Sequence, residues 1–167
     1  MASSSIKIAF GCQARVGKDT SALYLSRYFD DVKLLSFAAP LYEIMTFAQK
    51  TCGFPEVKDR KFLQWVGTEW GRSIDPDIWV KLLIDKVKHL DCSIIVTDVR
   101  FVNEFEALKK EGFTMVRIVR DVDMPAIAAT HLSETSALNA DLPWDYIINN
   151  DSTLEELYKQ LDLIIGR

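Results

Sequence analysis

The chain has 167 residues, 49% of them hydrophobic and 26% charged, with a formal net charge of -4. That length fits one domain with a real core, and that charge leaves no basic field to hold a long nucleic acid by its phosphates. Three scattered cysteines, Cys12, Cys52 and Cys92, with no CxxC pair, argue against a disulfide framework or a cysteine zinc site and point to a reducing, cytoplasmic compartment.

The first five residues are short and polar and no long apolar run follows, so neither a secretory signal nor a membrane span is expected. Ile6-Lys7-Ile8-Ala9-Phe10 reads as a buried strand, followed by a glycine-bearing turn. Residues 18–28 read as a helix with Leu23, Tyr28 and Phe29 on its inner side. A second strand is expected over 32–37 and a helix over 41–51, ended by Gly53 and Pro55. Two more helices are expected over 59–72 and 76–90, the second opening at Pro76, where a missing N–H is tolerated.

Residues 93–97 form an apolar β-branched strand. Phe101, Phe105 and Leu108 recur at helical spacing, and Gly112 stops that helix. Residues 114–119 give a fourth strand and 146–148 a fifth. Between them, 121–143 is the least periodic stretch and the candidate lid. Ser152-Thr153-Leu154-Glu155 matches a capping box and opens a last helix along Leu154, Leu157, Leu161 and Ile164. Strands alternating with helices predict an α/β fold, a parallel sheet with helices on both faces. No repeat or linker divides the chain.

The first strand, the glycine turn and the helix that follows it place Ala14-Arg15-Val16-Gly17-Lys18-Asp19-Thr20 at the carboxyl edge of a sheet, with a helix N-terminus facing the ligand. Free backbone N–H groups and the helix dipole favour a phosphate there. Gly17 lets the backbone approach. Lys18 brings a mobile positive charge, and Thr20 is placed to reach the α-phosphate. The usual first glycine of such a loop falls at Cys12, with Gly11 one place early. Asp19 replaces the usual Ser or Thr, and its carboxylate suits Mg²⁺, a hard cation that takes oxygen ligands.

That loop resembles the phosphate loop of the deoxynucleoside monophosphate kinases of bacteriophages and large DNA viruses. The resemblance continues, in family order, through Leu63-Gln64-Trp65-Val66-Gly67-Thr68-Glu69-Trp70-Gly71-Arg72, Asp75-Pro76-Asp77-Ile78-Trp79-Val80 and Thr97-Asp98-Val99-Arg100-Phe101-Val102-Asn103-Glu104. His131-Leu132-Ser133-Glu134-Thr135 and Tyr146-Ile147-Ile148-Asn149-Asn150-Asp151 complete it. It implies a three-layer P-loop fold of the nucleoside monophosphate kinase type, with a central five-stranded parallel sheet and a lid. It also implies transfer of the γ-phosphoryl group of ATP, with Mg²⁺, to a deoxynucleoside monophosphate. Residues 38–80 would form the acceptor-binding helical segment and 121–143 the lid. The accepted base is left open, as is a homodimer. Dephospho-CoA kinases and phosphomevalonate kinases share parts of these loops, so another small acceptor is the alternative. A nucleotide-sensing module without turnover is the reading from another class.

Phosphoryl transfer rests on positioning and electrostatics, so cations matter more than a strong base. Lys18, Arg72, Arg120 and Asp98 are the expected catalytic set. Arg72 would clamp the acceptor phosphate with its planar fork; otherwise it pairs with Asp75 or Asp77. Arg120, nearer the carboxyl edge than Arg117, would meet transition-state charge. Asp98, with Asp19, would orient Mg²⁺; otherwise it caps a helix. Ala14, Arg15, Val16, Gly17, Lys18, Asp19, Thr20 and Asn150 are expected at ATP, Asn150 on the adenine side. Trp70, Asp75, Arg100 and Glu134 join Arg72 as acceptor contacts, Trp70 by stacking, while Trp65 and Trp79 read as core. Glu104 reads as part of a cap with an internal ion pair.

Overall fold

The computed structural model describes residues 5–12, 16–120 and 141–167. Five strands form one sheet: β1 Lys7–Cys12, β2 Val32–Leu35, β3 Ser93–Val99, β4 Thr114–Val119 and β5 Tyr146–Asn149. All pairs are parallel and the spatial order is β2-β3-β1-β4-β5. The connection from β1 runs to β2 on one side and that from β3 runs to β4 on the other, so a crevice opens beyond the carboxyl ends of β1, β3 and β4, where such sheets bind ligands.

Alternation along the strands feeds two cores. Ile8, Phe10, Ile95, Val116 and Ile148 face α1 (Lys18–Ser26) and α6 (Leu154–Ile164), meeting Leu25, Leu157 and Leu161. Ala9, Ile94, Val96 and Met115 face the other layer, meeting Val66, Trp79, Leu83, Phe105 and Leu108. That layer is built from α2 (Ala39–Cys52), α3 (Arg60–Gln64), a π-helical segment (Trp65–Arg72), α4 (Ile78–Lys88) and α5 (Val102–Lys110). Burying both faces of a parallel sheet explains the near-continuous apolar strands.

Several local expectations are corrected. The first helix ends at Ser26, and Leu23 is exposed; the inner face is Ser21, Ala22 and Leu25, the first two small enough for close approach to the sheet. The helix expected over 59–72 changes to π geometry after Gln64, whose wider turn carries Val66, Gly67 and Gly71 inward and leaves Trp65 outside, 52% exposed. Trp65 is therefore not core, whereas Trp79 is buried. The next helix starts at Ile78, because Pro76 belongs to the preceding turn and its carbonyl accepts side-chain donors from Arg72 and Asn103. The last helix is capped by Thr153, whose hydroxyl accepts from Glu156 N, one residue later than the expected box. Of the expected lid, 121–140 lies outside the described residues.

Candidate phosphate and acceptor site

Two structures meet at the crevice. The first is the turn from β1 into α1. Gly17 has φ 98°, a left-handed conformation that favours glycine. A Cβ there would also come within 2.5 Å of Asn150 Nδ2. Asn150 is buried beyond β5 and donates that amide to Val16 O at 2.8 Å. Its own N–H donates to Val119 O, continuing the β4–β5 ladder. The loop is thus tied across the sheet to the opposite end of the chain. Cys12 is the last residue of β1, in register with Ile118, so the position of the usual first glycine is strand. Gly11 answers to packing: a Cβ there would sit 2.0 Å from the Trp144 ring. Lys18 Nζ pairs with Asp19 Oδ1 at 2.7 Å, the Lys18 side chain 23% exposed and that of Asp19 77%.

The second is a cavity of about 240 Å³ between β3 and the helical layer on its α2 side. Leu63, Gln64, Gly67, Thr68 and Arg72 supply one wall from α3 and the π segment. The wider turn is held in place by Trp79, whose Nε1 donates to Gly67 O at 2.8 Å. At Gly71 a Cβ would meet Trp79 at 2.4 Å, so only glycine lets the two elements approach. Phe37, Tyr42 and Phe101 give aromatic surface, and Lys58, Arg60, Arg72 and Arg100 give positive charge.

Two acidic residues complete the lining. Along β3 the pairing with β1 slips by one: Ala9 to Gly11 is two steps on β1, while Val96 to Val99 is three on β3. Such irregularities re-aim side chains near sites, and Asp98 lies in this one. Its Oδ1 accepts from Phe37 N at 2.8 Å and its Oδ2 from Ala38 N at 3.0 Å. Asp98 therefore holds the turn that leads into α2 and does not cap α5. Burial pushes its carboxyl up, opposed by those two N–H groups and by the nearby Arg100 and Lys18 charges. Glu104 is fully buried and accepts from Arg72 Nη2 at 2.5 Å and from the N–H groups of Arg100 and Phe101. Burial pushes Glu104 up to about 7, against the pull of the Arg100 N–H and the Arg72 charge. Arg72 also lies 3.8 Å over the Phe101 ring.

The cavity gathers Arg72, Arg100 and Asp98 from the expected set. Arg72 pairs with Glu104 rather than with Asp75 or Asp77. Trp70 is exposed on the outer side of the π segment and does not line the cavity. Asp75 is also apart from it, bonded to Lys81 and to Asp77 N at the entry to α4. Arg120 is exposed just past β4, and Arg117 is half-buried within it. Val16, Gly17, Lys18, Asp19 and Thr20 lie at the α1 entry, whereas Ala14, Arg15, His131, Ser133 and Glu134 lie outside the described residues. Sequence reasoning missed Phe37, Tyr42 and Phe101 as lining, and it missed the hold of Glu104 on Arg72. No cluster of three or more metal-ligating side chains occurs among the described residues.

This sheet order, with a glycine turn and lysine at its centre, defines a P-loop fold of the nucleoside monophosphate kinase type. Within that class the chain belongs to the deoxynucleotide monophosphate kinase family, whose model matches residues 56–161. It is 30% identical over 178 aligned positions, 87% of this chain and 88% of the relative, to a protein of Acanthamoeba polyphaga mimivirus provisionally named as a deoxynucleotide monophosphate kinase. It is 30% identical to the deoxynucleotide monophosphate kinase of Escherichia phage RB69, over 64% of this chain and 44% of that one. Among solved structures it is similar to a sugar kinase from Janibacter sp. (15% identity, TM-score 0.53, covering 96% and 94% of the two chains). A gluconokinase from Sinorhizobium meliloti is a second such structure (11%, TM-score 0.54, covering 93% and 89%). These last two speak for the fold alone.

Proposed function

We propose that the protein transfers the γ-phosphoryl group of ATP to a deoxynucleoside monophosphate, giving the diphosphate for DNA synthesis. The observation that carries this reading is the cavity itself. Its aromatic surface from Phe37, Tyr42 and Phe101 suits a base and sugar, and Arg72 and Arg100 suit a phosphate. The segment 38–80 acts as the acceptor-binding part and 121–143 as the lid.

In this reading the α1 entry receives the ATP phosphates on backbone N–H groups, with Lys18 leaving Asp19 to neutralise the β- and γ-phosphates. Asn150 stands on the adenine side of ATP and ties down the loop that receives its phosphates. The exposed Asp19 carboxylate would hold a hard divalent cation such as Mg²⁺ beside the phosphates. Bound Mg²⁺ supplies charge neutralisation between the phosphates. Asp98, whose oxygens each already accept one backbone N–H, adds negative charge near Lys18 and fixes the α2 entry. Arg72 and Arg100 hold the acceptor, and Arg120 joins the transferring group from the β4 side.

Separate substitutions test the division of labour. Arg72→Ala is expected to raise the acceptor KM by about tenfold or more while leaving the ATP KM within about twofold. Equal effects on both substrates would count against the acceptor role.

A further inference from the structure

One buried carboxylate stands behind two of the three cavity arginines, Arg72 and Arg100. Glu104 Oε1 accepts from Arg72 Nη2 at 2.5 Å, while Oε2 accepts from Arg100 N at 2.7 Å and Phe101 N at 3.0 Å. A capping glutamate at the start of α5 needs only the second set of bonds. The first set is additional, and it comes at the cost of burying a carboxylate that is 2% exposed.

Arg72 is fastened elsewhere too. Its Nη1 donates to Pro76 O at 3.0 Å, and its guanidinium lies on the Phe101 ring. A planar group held at two edges and on one face keeps its remaining N–H groups in a fixed direction. The same carboxylate fixes the main chain from which Arg100 projects.

We infer that Glu104 is the positioning residue of the acceptor site, holding Arg72 by its guanidinium and Arg100 by its main chain in the arrangement that receives the acceptor phosphate. This rests on the acceptor reading above. It predicts a sign that charge alone does not. Where Glu104 is ionised, above about pH 7, removing its negative charge 2.5 Å from the clamp would, by relieving Coulomb repulsion, tighten a phosphate dianion. Loss of positioning weakens it instead.

The test is steady-state phosphoryl transfer by the full chain with Mg·ATP and whichever of dAMP, dGMP, dCMP and dTMP the wild type turns over fastest. Glu104→Gln is expected to raise the acceptor KM by about tenfold, with the ATP KM within about twofold. Glu104→Asp, which keeps the charge and loses reach, moves the acceptor KM in the same direction. In an Arg72→Ala background Glu104→Gln adds less than about twofold, because the group it acts through is gone. An acceptor KM that is unchanged or lower in Glu104→Gln overturns the inference, as does an equal rise in both KM values. If Glu104→Gln does not fold, Glu104→Asp carries the same outcomes. A wild type that turns over none of the four monophosphates overturns the acceptor reading and this role with it; an active wild type with unaffected Glu104 variants overturns this role alone.

Discussion

Asn150 donates its side-chain amide to the carbonyl of Val16 at 2.8 Å, joining the loop after β5 to the phosphate turn across 134 positions of sequence. The bond is buried, so its loss leaves the Val16 carbonyl without that partner. Asn150→Ala is expected to cost about 1–3 kcal/mol of stability and to raise the ATP KM several-fold with little change for the acceptor. Chemical denaturation and a two-substrate kinetic matrix check both halves.

The close approach of the π segment to α4 gives a steric prediction. Gly71→Ala sets a Cβ 2.4 Å from the Trp79 ring and 2.8 Å from Val66 O, and one of those is backbone. The expected cost is about 1–3 kcal/mol, with the cavity wall displaced. Gly53→Ala, where a Cβ meets nothing within 4 Å, is the contrast. It carries only the strain of φ 68°, about 1 kcal/mol. Thermal melts of the two variants should separate accordingly.

Asp98→Asn exchanges one accepting oxygen for an amide that donates. Phe37 N and Ala38 N each already donate to this side chain, so one of them is left facing a donor. The α2 entry should loosen, lowering stability by about 1–3 kcal/mol and weakening turnover together. Turnover lost with unfolding unchanged would instead assign Asp98 a direct contact with the reactants.

The pH dependence has a defined sign. Glu104 goes from an ordinary 4.5 to about 7 in the folded chain. Between those values the folded state holds the extra proton, so the contribution is complete below 4.5 and is lost as pH rises through about 7. Unfolding free energy measured from pH 5 to 8 should fall more steeply in the wild type than in Glu104→Gln. Parallel curves would contradict this account of the buried carboxyl.

Much of the frame was legible from local pattern. Ile94-Ile95-Val96 and Thr114 to Val119 are short β-branched runs bounded by turn residues, and they are β3 and β4. The phosphate turn was legible because Gly17 and Lys18 follow a strand and open a helix. The π segment was not, since its period departs from the 3.6 that helical reading assumes, and so Trp65 was placed in the core. The roles of Asp98 and Glu104 were hidden for another reason. Asp98 acts on Phe37 and Ala38, about 60 positions away, and Glu104 on Arg72, 32 away. Such bonds arise only once β2, β3 and the helical layer are assembled. Phe37 and Tyr42 face the cavity for the same reason.

The most direct test of the central claim is phosphoryl transfer from Mg·ATP to a panel of deoxynucleoside and nucleoside monophosphates, dephospho-CoA included, with Lys18→Ala as the blank. The account predicts diphosphate from at least one deoxynucleoside monophosphate, lost in the blank. ATP binding without product from any deoxynucleoside monophosphate would contradict it.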